Sequence, residues 1–217
     1  MQVDARRARR DAIIMSGWVP ASLHPITGRP ASPRNLPSVL GPVANNSILR
    51  KRGSYQGGSD AMHLGGFTDL DVDGLSPRVW RYMMQNLTVK SVIDVGCGKG
   101  VSTSWFKAHG ARVQCVEGSS EAVKNSRLPP ELVVEHDFSQ GSWWPNRTFD
   151  AAWSVEFTEH VGRQYMHNYL PIFDSAALIF VSHSHWGGWH HVEVHDNDWW
   201  ITVRVCWRSN SRHGPPF

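Results

Sequence analysis

The sequence predicts an α/β fold in which helices cover both faces of a mostly parallel sheet. Two observations predict it. Between positions 90 and 184, short apolar runs typical of buried strands alternate with segments typical of helices. A glycine-rich turn or an acidic residue stands at the end of each of the first three runs. Alternation at this spacing indicates parallel strands joined by right-handed crossovers.

The predicted elements begin with a helix over residues 74–87. Ser76 can cap this helix, and Pro77 takes the first helical position, which suits a residue without an N–H. Strands are predicted after it over residues 91–97, 112–118, 131–137, 149–156 and 176–184. Helices are predicted between them over residues 101–110, 119–126 and 162–170. The carboxyl ends of the strands form one edge, where ligands bind in open parallel sheets.

The length of 217 residues, with 41% of them apolar, allows one full domain with an extension. Residues 1–60 are rich in Pro, Gly, Ser and Arg and are predicted to form a disordered basic tail. The domain is predicted to cover residues 61–205, with a second disordered tail over residues 206–217. A net charge of +3 is too small to indicate nucleic-acid binding.

The cysteine content and the hydropathy bear on the compartment. No apolar run approaches the roughly 20 residues that a membrane span needs. The three cysteines, Cys97, Cys115 and Cys206, are an odd and sparse set. Such a set predicts a reducing compartment without a disulfide framework, which favours a cytoplasmic location. The sequence leaves the oligomeric state open.

The motif with the most chemical content is VIDVGCGKG, residues 92–100. Gly96, Gly98 and Gly100 allow the backbone to turn sharply and to approach a ligand closely. The spacing differs from the dinucleotide fingerprint, and the Gly-Lys-Ser/Thr of a phosphate loop is absent. Asp94 stands in the strand before the turn, where a carboxylate suits the ammonium group of an amino acid better than a phosphate.

These residues resemble motif I of the class I S-adenosylmethionine-dependent methyltransferases, over about residues 74–184. Glu117 ends the second strand, where that family places an acid on the ribose hydroxyls. Asp137 and Phe138 end the third strand, where the family holds the adenine amine and packs its ring. The resemblance implies a Rossmann-like three-layer sandwich that binds S-adenosylmethionine. The cofactor-binding residues that it implies are Asp94, Gly96, Cys97, Gly98, Gly100, Glu117, Gly118, Asp137 and Phe138.

The run EFTEHVG, residues 156–162, follows the fourth strand. It resembles the E-x-x-E-H run of ubiquinone-pathway O-methyltransferases and of small-RNA 3′-terminal 2′-O-methyltransferases, which implies a divalent-metal site. On a helical turn Glu156, Glu159 and His160 share a face, and such a ligand set suits Mg²⁺ or Mn²⁺. Glu156 and His160 are also the candidate catalytic residues, with His160 as a general base. The alternative is an exposed helix start that holds no metal.

The RNA enzymes add one histidine from the segment after the fifth strand. That segment here offers five candidates, namely His183, His185, His190, His191 and His195. His190 or His191 fits best, because the preceding glycines allow the loop to fold back over the rim, and His190 is taken as the metal ligand. Trp186 and Trp189 flank these glycines and are candidates for an aromatic wall of the acceptor pocket.

The resemblance also implies a further helix and an antiparallel strand pair, in the sheet order 3-2-1-4-5-7-6. Too few residues follow the histidine-rich stretch, so the C-terminal strand pair is predicted to be incomplete. ITVRVCW, residues 201–207, is predicted to form one strand, which would cover the edge of the fifth strand. HHVEVH, residues 190–195, alternates like a strand, with His191, Glu193 and His195 on one face.

Three functions remain open from the sequence. The first is methyl transfer to an oxygen of a small molecule or a glycan. The second is metal-assisted 2′-O-methylation of RNA, which lacks the support of a basic stripe beside the rim. The third is a catalytically inactive domain that binds S-adenosylmethionine, because one fold hosts several functions. The glycine-rich segment over residues 57–71 is either a lid over the cofactor or a linker.

Overall fold

The computed structural model describes residues 13–15, 60–64, 75–188 and 190–211. A parallel sheet of six strands lies at its centre. The strands are β1 (Ile13–Met15), β2 (Ser91–Val95), β3 (Arg112–Glu117), β4 (Val133–Glu135), β5 (Phe149–Ser154) and β6 (Ala176–Val181). Their order in the sheet is β1-β6-β5-β2-β3-β4, and every pair is parallel. The five strands predicted from the sequence are confirmed.

Within the described residues, five α-helices connect or cover these strands. They are α1 (Pro77–Gln85), α2 (Val101–Ala108), α3 (Ser120–Lys124), α4 (Met166–Asp174) and α5 (Asn197–Ser211). Short 3₁₀ turns occur at Met62–Leu64, Pro130–Leu132, Thr158–His160 and Arg163–Tyr165. No helix within these described residues is both long and apolar enough to cross a bilayer.

The buried side chains form two layers, one on each face of the sheet. Successive residues of a strand point to opposite faces, so Val92 and Ile93 belong to different layers. Trp80 of α1 is central to one layer, and Tyr169 of α4 is central to the other. All five residues of β2 are buried, as expected for a central strand covered on both sides. The predicted Rossmann-like three-layer sandwich is therefore confirmed.

The prediction of a strand over residues 201–207 is wrong, because this segment lies within helix α5. Oδ1 of Asp196 accepts a hydrogen bond from the backbone N–H of Trp199 at 2.8 Å and so caps the helix. Trp200, Val203 and Trp207 then pack on the core at helical spacing. The helix continues to Ser211, beyond residue 205, and residues 212–217 lie outside the described part of the chain.

The edge of β6 is covered by β1, whose three residues pair with Ile179–Val181. The structure thus has a strand at Ile13–Met15, within the segment for which the sequence predicts disorder. Apart from this strand and Asp60, residues 1–60 lie outside the described residues. HHVEVH, residues 190–195, is not a strand, because no second strand pairs with it in the described residues.

Cys97 and Cys115 are joined by a disulfide, with their Cα atoms 5.8 Å apart. This separation lies within the range that disulfides require. The sequence-based expectation of no disulfide is wrong for this pair.

Candidate active site

The turn after β2 has the left-handed backbone that its glycines predict. Gly96, Gly98 and Gly100 have φ angles of 72°, 54° and 77°, a region that other residues rarely adopt. At Gly96 an added Cβ would also lie 2.5 Å from Cδ2 of Phe157. The N–H of Gly96 donates to the carbonyl of Val116 at 2.9 Å, which ties the turn to β3. The turn is therefore a fixed cradle at the carboxyl end of β2.

Asp94 lies just before this cradle and is buried. Its Oδ2 accepts hydrogen bonds from the hydroxyls of Ser102 and Thr103, at 2.6 and 2.5 Å. These bonds fix the first turn of α2 beneath the cradle. Because a carboxylate accepts about four hydrogen bonds, the same group can hold the helix and receive an ammonium group at the rim.

Glu117 ends β3 with its carboxylate directed at the cradle. The N–H of Gly98 donates to Oε2 at 2.7 Å, and the N–H of Ser119 donates to Oε1 at 2.9 Å. Burial raises the pKa of Glu117 to about 7, and the charge of Asp94 adds to this rise, although the backbone hydrogen bonds act to lower it. Each oxygen can accept a second donor, which suits a pair of ribose hydroxyls.

Asp137 follows β4 and is already engaged by groups of the protein. Oδ1 accepts from the N–H of Ser139 at 2.8 Å. Oδ2 accepts from the Ser139 hydroxyl at 2.9 Å and hydrogen-bonds with Nε2 of His63 at 3.0 Å. Burial acts to raise the pKa of Asp137, but these hydrogen bonds outweigh it and hold the pKa below its usual value. An adenine amine would therefore meet competing donors at this carboxylate.

The segment of residues 60–64, which we call the strap, is anchored beside Glu117. Oδ2 of Asp60 accepts from the Ser119 hydroxyl at 2.5 Å and from the N–H of Glu121 at 3.1 Å. Oδ1 accepts from the Ser120 hydroxyl at 2.9 Å. One carboxylate therefore ties the strap to the start of α3.

The strap also covers the ends of β3 and β4. An added Cβ on Gly118 would lie 2.6 Å from Cδ2 of Leu64, so Leu64 packs directly on this glycine. His63 adds its contact with Asp137. The described part of the 57–71 segment therefore contacts residues that the resemblance assigns to the cofactor. Whether it closes over a bound cofactor stays a prediction.

Phe138 is buried in the core behind the site. Its ring meets those of Phe157 and Tyr169 edge-on, at centroid distances of 5.8 and 6.2 Å. Its carbonyl accepts a hydrogen bond from Nδ2 of Asn168 at 2.7 Å. These contacts fix the backbone that follows Asp137, and the role of Phe138 at an adenine ring stays a prediction.

The E-x-x-E-H run forms a tight loop and a 3₁₀ turn after β5. Glu156 has a φ of 51°, which is strained for a residue with a side chain. Glu159 is fully buried, and its Oε1 accepts a hydrogen bond from the N–H of Ser184 at 2.7 Å. Oε1 of Glu156 accepts from the Ser182 hydroxyl at 3.4 Å. Both acids thus contact the chain that follows β6.

Three potential metal ligands meet at this loop. One ligand atom from each of Glu159, His160 and His191 lies within 4.8 Å of the others. Oε2 of Glu159 and Nδ1 of His160 are buried, and neither has a hydrogen-bond partner among the described residues. Two of the ligands predicted from the sequence, Glu156 and His190, lie outside this group. His191, the other candidate beside His190, lies within it.

The protonation of this cluster follows from burial. Burial raises the pKa of Glu159. It lowers the pKa of His160 to about 4, and the charges of His191 and His190 act in the same direction. His160 is therefore a neutral imidazole at physiological pH, the form that binds a metal or accepts a proton.

Three of the candidate histidines have other roles. His183 is buried and hydrogen-bonds with Oδ1 of Asn197 in α5, at 2.9 Å. His195 stacks on Trp199, with ring centroids 3.6 Å apart. His185 packs edge-on against His183 at a centroid distance of 4.7 Å. These contacts hold α5 and its preceding loop, so only part of the histidine-rich stretch faces the acceptor side.

The tryptophans of the same stretch also divide into two groups. Trp186 is 66% exposed at the rim, and Trp189 lies outside the described residues. Trp200 is buried, and Trp199 packs against the core. An aromatic wall at the acceptor pocket therefore depends, in the described structure, on Trp186.

Arg163 forms an ion pair with Glu193 at 3.0 Å. No role for Arg163 was predicted from the sequence. Arg163 follows the E-x-x-E-H run and Glu193 follows His191. The alternation in HHVEVH places Glu193 on one face with His191 and His195. In the structure Glu193 is buried, and the neighbouring Val192 and Val194 are exposed. This pattern was the only sequence signal for the pair.

Comparison with known proteins agrees with this geometry. A family model described as "Methyltransferase domain" matches residues 73–200, more than half of the chain. The chain is 31% identical over 124 residues to the mitochondrial ubiquinone biosynthesis O-methyltransferase of Schizosaccharomyces pombe. That match covers 54% of this chain and 43% of the relative, so the chain spans less than half of the relative's length.

Two solved structures match parts of the chain. The methyltransferase domain of bacterial CtHen1-C has a TM-score of 0.46 and 17% identity, over 64% of this chain and 82% of that one. An S-adenosylmethionine-dependent methyltransferase from Clostridium acetobutylicum has a TM-score of 0.41 and 20% identity, over 51% of this chain and 47% of that one.

The chain therefore belongs to the methyltransferase-domain family. Within that family its parallel sheet, its glycine cradle and the acids at three successive strand ends are those of a class I S-adenosylmethionine-dependent methyltransferase.

Proposed function

We propose that this chain transfers the methyl group of S-adenosylmethionine to an oxygen atom of a small-molecule acceptor. One observation carries the proposal. Three parallel strands bring Asp94, Glu117 and Asp137 to one rim, and β5, which pairs with β2, leads into the turn of Glu159 and His160 at the same rim. The curated relative, an O-methyltransferase of ubiquinone biosynthesis by name, favours a small molecule over a glycan or RNA.

Residues at different points along the rim have different proposed roles. Asp94 and the turn glycines hold the amino-acid end of the cofactor, and Glu117 holds the ribose. When bound, the cofactor would supply a sulfonium methyl group for transfer to the acceptor oxygen, with S-adenosylhomocysteine as the second product. His160, neutral because of its burial, accepts the acceptor proton.

Cofactor binding is the first test of this proposal. Calorimetric titration of the full chain with S-adenosylmethionine should give one site per chain. Asp94→Asn should weaken binding at least tenfold, because a carboxylate pairs with an ammonium group more strongly than an amide does. The control is Glu131→Gln, an exposed acid at the opposite end of β4, which should bind as the wild type does. A folded wild-type protein without binding would contradict the proposal.

Methyl transfer is tested separately with labelled cofactor. A panel of phenols, catechols and aliphatic alcohols should show label in an ether product with the wild type. His160→Ala should lower kcat by about 100-fold, the usual contribution of general-base catalysis. If the protein binds cofactor but labels no oxygen acceptor, the chain is a binding domain without this activity.

A metal-assisted form of the reaction is the second candidate. It is favoured by the unpartnered atoms Oε2 of Glu159 and Nδ1 of His160 beside His191. A carboxylate with two imidazoles fits Mn²⁺ or Mg²⁺ with other positions left to the acceptor. When bound, such an ion would lower the pKa of an acceptor hydroxyl and orient it. Glu159, His160 and His191 are the residues that would hold it.

Manganese binding tests this candidate. Calorimetry and the electron paramagnetic resonance signal of free Mn²⁺ should show one site on the wild type. His191→Ala should weaken that site at least tenfold, whereas His185→Ala, a histidine of the same segment outside the group, should not. Equal binding by both variants would remove the metal from the proposal.

A further inference from the structure

The carboxylate of Glu193 accepts hydrogen bonds at both of its oxygens. It accepts from the N–H of Arg163 at 2.8 Å, from Nε at 3.1 Å and from Nη2 at 3.0 Å. His195 adds a hydrogen bond through Nε2 at 2.8 Å. The Glu193 side chain is buried, and that of Arg163 is largely exposed. These four bonds fill the acceptor capacity of a carboxylate, so Glu193 is held in one orientation.

The backbone beside this carboxylate is tied to Glu159. The N–H groups of Val192 and Glu193 both donate to the carbonyl of Glu159, at 2.8 and 3.1 Å. No second strand pairs with residues 190–195 within the described structure. The segment is therefore held by these two hydrogen bonds and by the Glu193 side chain, together with the stack of His195 on Trp199 and the hydrogen bond of His191 Nδ1 with the Trp186 carbonyl at 2.8 Å.

The position of this segment decides where His191 lies. His191 comes two residues before Glu193, and its ring centroid is 4.8 Å from that of His160. Arg163 comes three residues after His160. The bidentate ion pair between Arg163 and Glu193 thus joins the loop that carries His160 to the loop that carries His191.

We propose that Glu193 and Arg163 form a positioning pair that holds His191 in ligand geometry with Glu159 and His160. This inference rests on the metal-assisted form of the proposed function. Without the ion pair, the loop that carries His191 would have to lose conformational freedom when the ion binds. With the ion pair, that freedom is already lost before binding. Groups that orient a metal ligand commonly change metal affinity by about 10- to 100-fold when they are removed.

The test is a manganese titration of the full chain and of single variants. Glu193→Gln and Arg163→Ala should each raise the Kd for Mn²⁺ by about 10-fold or more. Arg163→Lys should restore little, because an ammonium group cannot form the guanidinium fork. The control is Asp174→Asn, which breaks the Arg204–Asp174 ion pair between α5 and α4 and should leave the Kd unchanged.

Two further measurements separate positioning from a loss of folding. The affinity of the Glu193→Gln variant for S-adenosylmethionine should equal that of the wild type, since the cofactor cradle lies on β2 and β3. Adding Glu193→Gln to His191→Ala should cause no further loss of Mn²⁺ binding, because Glu193 acts on the site only through His191. Additive losses in the double variant would overturn the inference.

The outcomes distinguish this inference from the metal site itself. If the wild type binds Mn²⁺ and Glu193→Gln binds it equally, the positioning pair is refuted and the metal site stands. If His191→Ala also leaves binding unchanged, the metal site of the proposed function is refuted and the positioning role with it.

Discussion

The cofactor end and the acceptor end of the rim hold their carboxylates in different ways. At the cofactor end, Glu117 and Asp137 each accept a hydrogen bond from the N–H two residues further along the chain. At the acceptor end, Glu159 accepts from Ser184, which is 25 residues away. The cofactor end therefore combines strand-end turns with contacts from Gly98 and His63, whereas the acceptor end is formed by loops that pack on each other.

Because of this difference, we expect the two ends to respond differently to amino-acid substitution. A turn depends on the backbone conformation of single residues, so one added methyl group can abolish it. A loop-to-loop contact depends on several side chains, so its loss shifts a ligand without removing the fold. We expect the largest effects at the cradle and smaller, graded effects at the acceptor end and the strap.

The largest effect is expected at Gly96. Gly96→Ala places a Cβ 2.5 Å from the Phe157 ring, on a backbone with a φ of 72°. The affinity for S-adenosylmethionine should therefore fall by about 100-fold or more. The free energy of unfolding should fall by about 2 kcal/mol. Calorimetry and thermal unfolding measure both. The control is Gly110→Ala, which has a φ of 89° but nothing within 4 Å of its added Cβ. Gly110→Ala should lower stability by about 1 kcal/mol and leave binding intact; equal effects would show that steric contact with Phe157 is irrelevant.

A smaller effect, of several-fold, is expected from pH. The pKa of Glu117 is raised to about 7 by burial, so the carboxyl is protonated below pH 7 and charged above it. The charged form accepts hydroxyl donors at both oxygens, and binding of S-adenosylmethionine should strengthen as pH rises from 6 to 8. Titrations at three pH values measure this. Glu117→Gln should bind more weakly and without that rise; a rise that persists in this variant would assign it to another group.

The smallest effect is expected at the strap. His63→Ala removes a donor that competes for Oδ2 of Asp137, and binding of S-adenosylmethionine should tighten about two- to fivefold, as expected for a modest hydrogen bond. Asp60→Ala, which frees the other end of the strap from α3, should act in the same direction. Weaker binding in both variants would instead identify the strap as a lid that closes over the cofactor.

The two ends also differ in how far they could be predicted. The order of strands and helices between residues 75 and 184 followed from apolar runs, because a sheet covered on both faces needs buried strands. The left-handed turn at Gly96, Gly98 and Gly100 followed from the glycines themselves. HHVEVH was predicted to alternate, and Glu193 is buried while Val192 and Val194 are exposed, although the segment does not form a strand.

The error in secondary structure falls where distant parts of the chain meet. ITVRVCW was predicted to form a strand, but the Asp196 cap and the core contacts of Trp200 and Trp207 make it a helix. His190 or His191 was predicted as a ligand, and the structure groups His191 with Glu159 and His160. The choice between adjacent histidines depends on the rotation of a loop about its anchors, and these anchors, Arg163 among them, lie far away in sequence.

The sequence by itself determined the parallel α/β architecture and the cofactor cradle, because buried runs, glycines with left-handed backbone and acids at strand ends act through local geometry. Only the tertiary structure decided which histidine joins Glu159 and His160, how the edge of β6 is covered and where the strap lies. Those outcomes depend on contacts between residues far apart in the chain, and the balance among such contacts is set by packing, which no local pattern encodes.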